Sequence, residues 1–172
     1  MENTYINPVI AAAVSWFRKQ GIEDFSIESS DVVSFCFPIQ EIKTSFTVAG
    51  YYDNGLYFVH LSSRLYACVD REHLLKMFLF LNLLNESNHM LCFYLDMDED
   101  LPRVCFRLDL SFDTQTGLEA HFLNVLTLAK QMLDPVIQQI GMVALTGADP
   151  DEAFYKVMVI QDHFINSGIS TP

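Results

Sequence analysis

Two periodicities run through this chain and divide it into helices and strands. Asn7-Pro8 opens the first helix, because an Asn side chain accepts from a free backbone N–H and Pro is tolerated at the first helical position. Val9, Ala13, Trp16 and Phe17 then fall on one face, and Gly21 ends the helix just after Arg18 and Lys19. Alternating stretches follow at about residues 32–38, 44–52 and 56–62 and predict three strands. Asp53-Asn54-Gly55 separates the last two with residues that tolerate positive φ, so those strands form a hairpin.

A very apolar helix is expected from about Asp70 to Asn85, with Asp70 as N-cap. Residues 74–84 are apolar at every position except Lys76 and Asn82, so this helix must be buried on several sides. A second alternating pair at 91–96 and 103–110 predicts another hairpin, with Leu91, Phe93 and Leu95 facing one way and Val104, Phe106, Leu108 and Leu110 able to join them. Thr116 and Glu119 have capping-box spacing before the stripe Leu118, Phe122, Val125, Ala129, Met132, Val136 and Ile140, in which Asp134-Pro135 predicts a bend. Asp149-Pro150-Asp151-Glu152 starts a last helix that ends before Ser167-Gly168. The order α-β-β-β-α-β-β-α-α has no sustained strand–helix–strand alternation. It predicts an α+β fold with an antiparallel five-stranded sheet flanked by helices.

At 172 residues the chain has the size of one domain, which buries roughly 70% of its unfolded surface. The formal charge of −12, from 22 acidic against 10 basic residues, repels phosphate backbones and anionic headgroups, so neither nucleic acid nor membrane is an expected partner. The longest unbroken apolar run in the central helix is Met77 to Leu81, far short of the about 20 residues a membrane span needs. Arg18 and Lys19 follow the first apolar stretch, the reverse of a secretory signal peptide. A cytoplasmic location is expected. Hydrophobic residues make up 51% of the chain and mean hydropathy is +0.21, which suggests apolar surface that another chain covers.

No motif in the chain specifies a reaction. Cys36, Cys68, Cys92 and Cys105 sit singly among apolar neighbours without C-x-x-C spacing and read as reduced packing residues. His60, His73, His89, His121 and His163 form no H-x-x-x-H or H-E-x-x-H pair. A calcium loop starting at Asp96 wants Gly at its sixth position and Glu at its twelfth, and finds Leu101 and Arg107. Residues 96–100 therefore read as a solvated hairpin tip. There is no G-x-S-x-G, G-x-G-x-x-G or G-K-[ST]. No catalytic residue, metal or cofactor is expected. Asn82 and Asn85 need partners on their apolar helix and are expected to cap its end and the following loop through Asn88, a ligand-binding role being the alternative.

Asn82-x-x-Asn85, Phe93-Tyr94-Leu95-Asp96, Val104-Cys105-Phe106-Arg107 and Leu128-Ala129-x-x-Met132-x-Asp134, in this order of elements, resemble the YbjN-type bacterial sensory-transduction-regulator family, which shares the fold of type III secretion chaperones. The resemblance covers about residues 5–142, and the helix at about 149–166 is an addition. His89-Met90-Leu91-Cys92 stands where those proteins often have a glycine. The resemblance implies a type III secretion chaperone-like fold and a non-enzymatic, chaperone-like or regulatory binder, often dimeric.

The expected function is thus a non-catalytic protein-binding module whose partner is a protein client or a second copy in a homodimer. Phe78, Leu81, Leu84, Tyr94 and Arg107 are the candidate interface residues. The rival is a small-molecule or enzymatic site on the sheet face near His60, Cys92, Tyr94 and Arg107.

Overall fold

The structure is a computed structural model that describes residues 7–39, 42–87, 91–97, 101–113 and 117–166. Its elements are α1 (Pro8–Lys19), β1 (Phe25–Ile27), β2 (Val32–Ile39), β3 (Ile42–Asp53), β4 (Leu56–Cys68), a single 3₁₀ turn (Arg71–His73), α2 (Leu74–Ser87), β5 (Leu91–Asp96), β6 (Arg103–Phe112), α3 (Leu118–Thr146) and α4 (Pro150–Asn166). The fold is α+β, with helices flanking an antiparallel sheet of order β1-β2-β3-β4-β6-β5. Among the described residues the sheet has six strands, which corrects the expected five. The added strand is β1, whose three residues are too short to show a period of two. β4 runs six residues beyond the expected end, since Leu65 keeps the buried alternation of Val59 and Leu61.

The packing divides into two compact units, Met1–Arg64 with Phe106–Ala129, and Leu65–Cys105 with Lys130–Pro172. In the first, Asn7 caps α1 by accepting from the Val9 N–H at 2.9 Å, while its amide donates to the Gly50 carbonyl at 3.0 Å and to Asp31 at 3.3 Å. One side chain thus starts a helix and ties it to β3. The closeness requires glycine at position 50, because a Cβ there would stand 2.5 Å from that of Val9. Val33, Phe35, Phe46, Val48, Val59 and Leu61 fill one sheet face, with Phe35 opposite Phe46 and Val48 opposite Val33 and Leu61. Phe17 of α1 lies on Phe35 at 4.5 Å, and Trp16 meets Phe122 of α3 edge-on at 5.6 Å. Asn54 (φ 50°) and Gly55 (φ 86°) make the expected two-residue hairpin turn between β3 and β4.

In the second unit α2 packs against β5 and α4. Its inner side is Met77, Phe80, Leu81 and Leu84, spaced i, i+3, i+4, i+7. Three contacts hold the start of α2 to the end of α3: the Asp70 N–H donates to the Ala144 carbonyl, the Lys76 ammonium to the Gly147 carbonyl, and the His73 ring lies against Gly147. Asp149 caps α4 by accepting from the N–H groups of Asp151 and Glu152. α3 continues through Pro135, which supplies no N–H to the carbonyl four residues back, without ending as a helix. Thr116, Asn88, Asp98, Glu99, Asp100 and Ser167-Gly168, which carried expectations above, lie outside the described residues.

Candidate interaction surfaces

α2 turns large apolar side chains to solvent. Leu75, Phe78 and Leu79 are 72%, 51% and 53% exposed, on a helix whose opposite side is core. They form a stripe that continues through the exposed Asn82 and Glu86, one helical turn at a time. From His73 to Asn85 the chain has no carboxylate, and Lys76 is the one formal charge in that stretch of a strongly acidic protein. Folding leaves each of these side chains partly in water, and full burial of one such group is worth up to about 1.5–3 kcal/mol.

The structure separates the candidate interface residues. Phe78 lies on the exposed stripe, whereas Leu81 and Leu84, expected with it at the interface, are each 3% exposed and belong to the inner side of α2, which corrects their place in that set. The physical reason is that α4 and β5 take up that side, and helical spacing puts Leu81 and Leu84 with Met77 rather than with Phe78. Leu75 and Leu79 join Phe78, and their signal in the sequence was Asn82 with Glu86, which mark the wet side of a helix apolar nearly all around. Asn82 donates to Glu86 at 2.8 Å. Asn85 turns to β5, with its amide N–H on the Phe93 carbonyl at 2.8 Å and its oxygen accepting from the Phe93 N–H at 2.7 Å.

Tyr94 and Cys92 lie on the exposed side of β5, opposite the buried Leu91 and Phe93. Cys105, read from the sequence as a packing residue, is buried. Arg107 is exposed on β6 and its Nε donates to Asp109 Oδ2 at 3.0 Å, while Asp109 Oδ1 meets His60 Nδ1 at 2.5 Å. His60 and Arg107 of the rival site thus share one carboxylate. The residue opposite His60 in the neighbouring strand is Ala49, which offers no nucleophile. Among the described residues no group of three or more His, Cys, Asp or Glu side chains has the geometry to hold a metal ion. No helix among them is long and apolar enough to cross a membrane.

A third feature lies in the first unit. Ala11, Val14, Ser15, Arg18 and Lys19 of α1, with Ile27 of β1, line an open groove of about 360 Å³. Lys19 is paired with Glu119, whose carboxyl is held below the ordinary carboxylate range by hydrogen bonds from Lys19 and then Ser15.

The fold and these surfaces define an α+β protein with an antiparallel sheet and an apolar helix face turned to solvent. The crystal structure of YbjN from E. coli, a candidate transcription regulator, is similar at a TM-score of 0.46 and 17% identity, over 80% of this chain and 89% of that one. No family model matches the chain, and no curated protein matches it.

Proposed function

We propose that this chain is a non-catalytic protein-binding module, chaperone-like or regulatory in kind, that holds a protein partner on the outer face of α2. The observation that carries this reading is the stripe Leu75, Phe78 and Leu79, three large apolar side chains at helical spacing, each more than half exposed. A helix-in-groove or helix-on-helix contact buries such a stripe, and its anchors sit at the i, i+3, i+4 positions that this mode uses. The partner tested first is a second copy of this chain. Two acidic copies repel least where neither presents a carboxylate, and the stretch from His73 to Asn85 is such a place.

Light scattering coupled to size exclusion tests this directly. A mass near twice 19.7 kDa at micromolar concentration, returning to 19.7 kDa in Phe78→Asp and Leu79→Asp with unchanged circular dichroism, supports self-association through α2. A monomer in the wild type turns the test to clients captured from the native extract. Proteins retained by the wild type and lost from both variants then support the reading. Equal retention by wild type and variants overturns it.

A further inference from the structure

The two edges of the sheet are finished differently. At β5 the Asn85 side chain occupies both the N–H and the carbonyl of Phe93, standing where a neighbouring peptide unit would stand. β1, at the other edge, has no such plug. Its pairing with β2 places residues 24, 26 and 28 in the hydrogen-bonded positions, since the Cys36 N–H donates to the Asp24 carbonyl and the Glu28 N–H to the Val32 carbonyl. The backbone groups of Phe25 and Ile27 therefore point away from β2. The Phe25 N–H is used by the Glu23 carbonyl, and among the described residues nothing pairs with the N–H and carbonyl of Ile27. The Ile27 side chain is 43% exposed and forms one wall of the groove against α1.

The groove also carries a charge. Lys19 is neutralised by Glu119, but no acidic group among the described residues pairs with Arg18. The result is an exposed guanidinium on a protein of formal charge −12, at the rim of an apolar trough, beside an unpaired strand edge. Natural edges are blunted by charges, prolines or plugs when they serve no partner. An edge with open hydrogen-bonding groups and an adjoining apolar pocket suits strand addition, in which backbone bonds give affinity and side-chain pockets give specificity.

We infer that the β1 edge and the α1 groove bind an extended segment of a partner protein, with main-chain bonds to Ile27, an apolar side chain over Ala11 and Val14, and an acidic side chain on Arg18. This site is separate in sequence and composition from the α2 stripe and stands independently of it.

Selection of a random linear dodecapeptide display library on the full chain provides the test, followed by synthesis of an enriched peptide and fluorescence anisotropy. Enriched peptides are expected to combine an acidic residue with β-branched or aromatic residues. Arg18→Glu and Ile27→Pro are each expected to weaken binding about tenfold or more, while Phe78→Asp leaves it unchanged. Ile27→Pro removes an N–H that does not bond β2, and circular dichroism checks that the fold persists. Should Ile27→Pro unfold, Arg18→Glu and slowed hydrogen exchange at the Ile27 amide on peptide binding carry the test. Absence of an enriched motif overturns the inference, as does binding indifferent to both variants. Peptides lost on Phe78→Asp alone also overturn it, and assign recognition to α2. A doubled mass abolished by Ile27→Pro replaces the partner segment with a second copy at this edge, and so overturns the inference as stated.

Discussion

Asn85 pairs with the backbone of Phe93 at both ends of its amide, donating to the carbonyl at 2.8 Å and accepting from the N–H at 2.7 Å. A helix side chain thereby completes the hydrogen bonding of a strand eight residues later, and it joins the last turn of α2 to the edge of the sheet. A neutral amide suits the site at pH 7, because the site needs a donor and an acceptor side by side.

Asn85→Ala is accordingly expected to cost about 1–3 kcal/mol, the penalty for losing two part-buried hydrogen bonds to the Phe93 backbone. Asn85→Asp keeps the acceptor but turns a carboxylate oxygen toward the Phe93 carbonyl, so it costs more than Asn85→Ala at pH 7. The gap between the two variants closes below the carboxylate range, where a protonated acid regains a donor. Urea denaturation of wild type and both variants at pH 7 and pH 3.5 measures this.

The two sides of α2 predict opposite outcomes for neighbouring residues. Leu81→Ala empties a site 3% exposed and is expected to lower stability by about 2–5 kcal/mol. Phe78→Ala, on the stripe, should stay within about 0.5 kcal/mol in the monomer. Urea midpoints at low protein concentration separate the two. A loss of stability at Phe78 that grows with protein concentration would report a bound partner on that face.

Gly50→Ala is expected to destabilise by about 1–3 kcal/mol, because its Cβ meets two side-chain atoms of Val9 at 2.5 and 2.7 Å and α1 must move off β3. The same change at Gly141, where a Cβ meets nothing within 4 Å and helix propensity favours alanine, should be neutral or stabilising. Thermal melts of the two variants check the contrast.

Burial pushes the Asp134 carboxyl up, against a smaller downward pull from Lys130. The folded state therefore holds this proton more tightly than the unfolded chain. Its effect on stability is fully favourable below the ordinary carboxylate value and is lost as the pH rises from there through the raised folded value. Asp134→Asn removes that dependence, so the stability of the variant relative to wild type should increase from pH 3.5 to pH 7. Guanidinium denaturation at both pH values reads the difference.

Local chemistry in the sequence determined a good deal of this protein. Asn7-Pro8, Asn54-Gly55 and Asp149-Pro150 mark element ends whose preferences act within a few residues, and all three stand where the sequence places them. Alternation in residues 32–38, 44–52 and 91–96 likewise set which side chains face the core, because a period of two survives any arrangement of strands. Tertiary structure decided the rest. β1 has only three residues, so its existence rests on pairing with β2 rather than on its own pattern. α2 is apolar almost all around, and helical periodicity alone gives such a helix no preferred side. Only packing against β5 and α4 makes Leu81 and Leu84 core and leaves Leu75, Phe78 and Leu79 as surface. The groove at Arg18 and Ile27 was invisible for a related reason: it joins a helix side to a strand edge, and no spacing along one chain encodes which backbone groups the next strand leaves open.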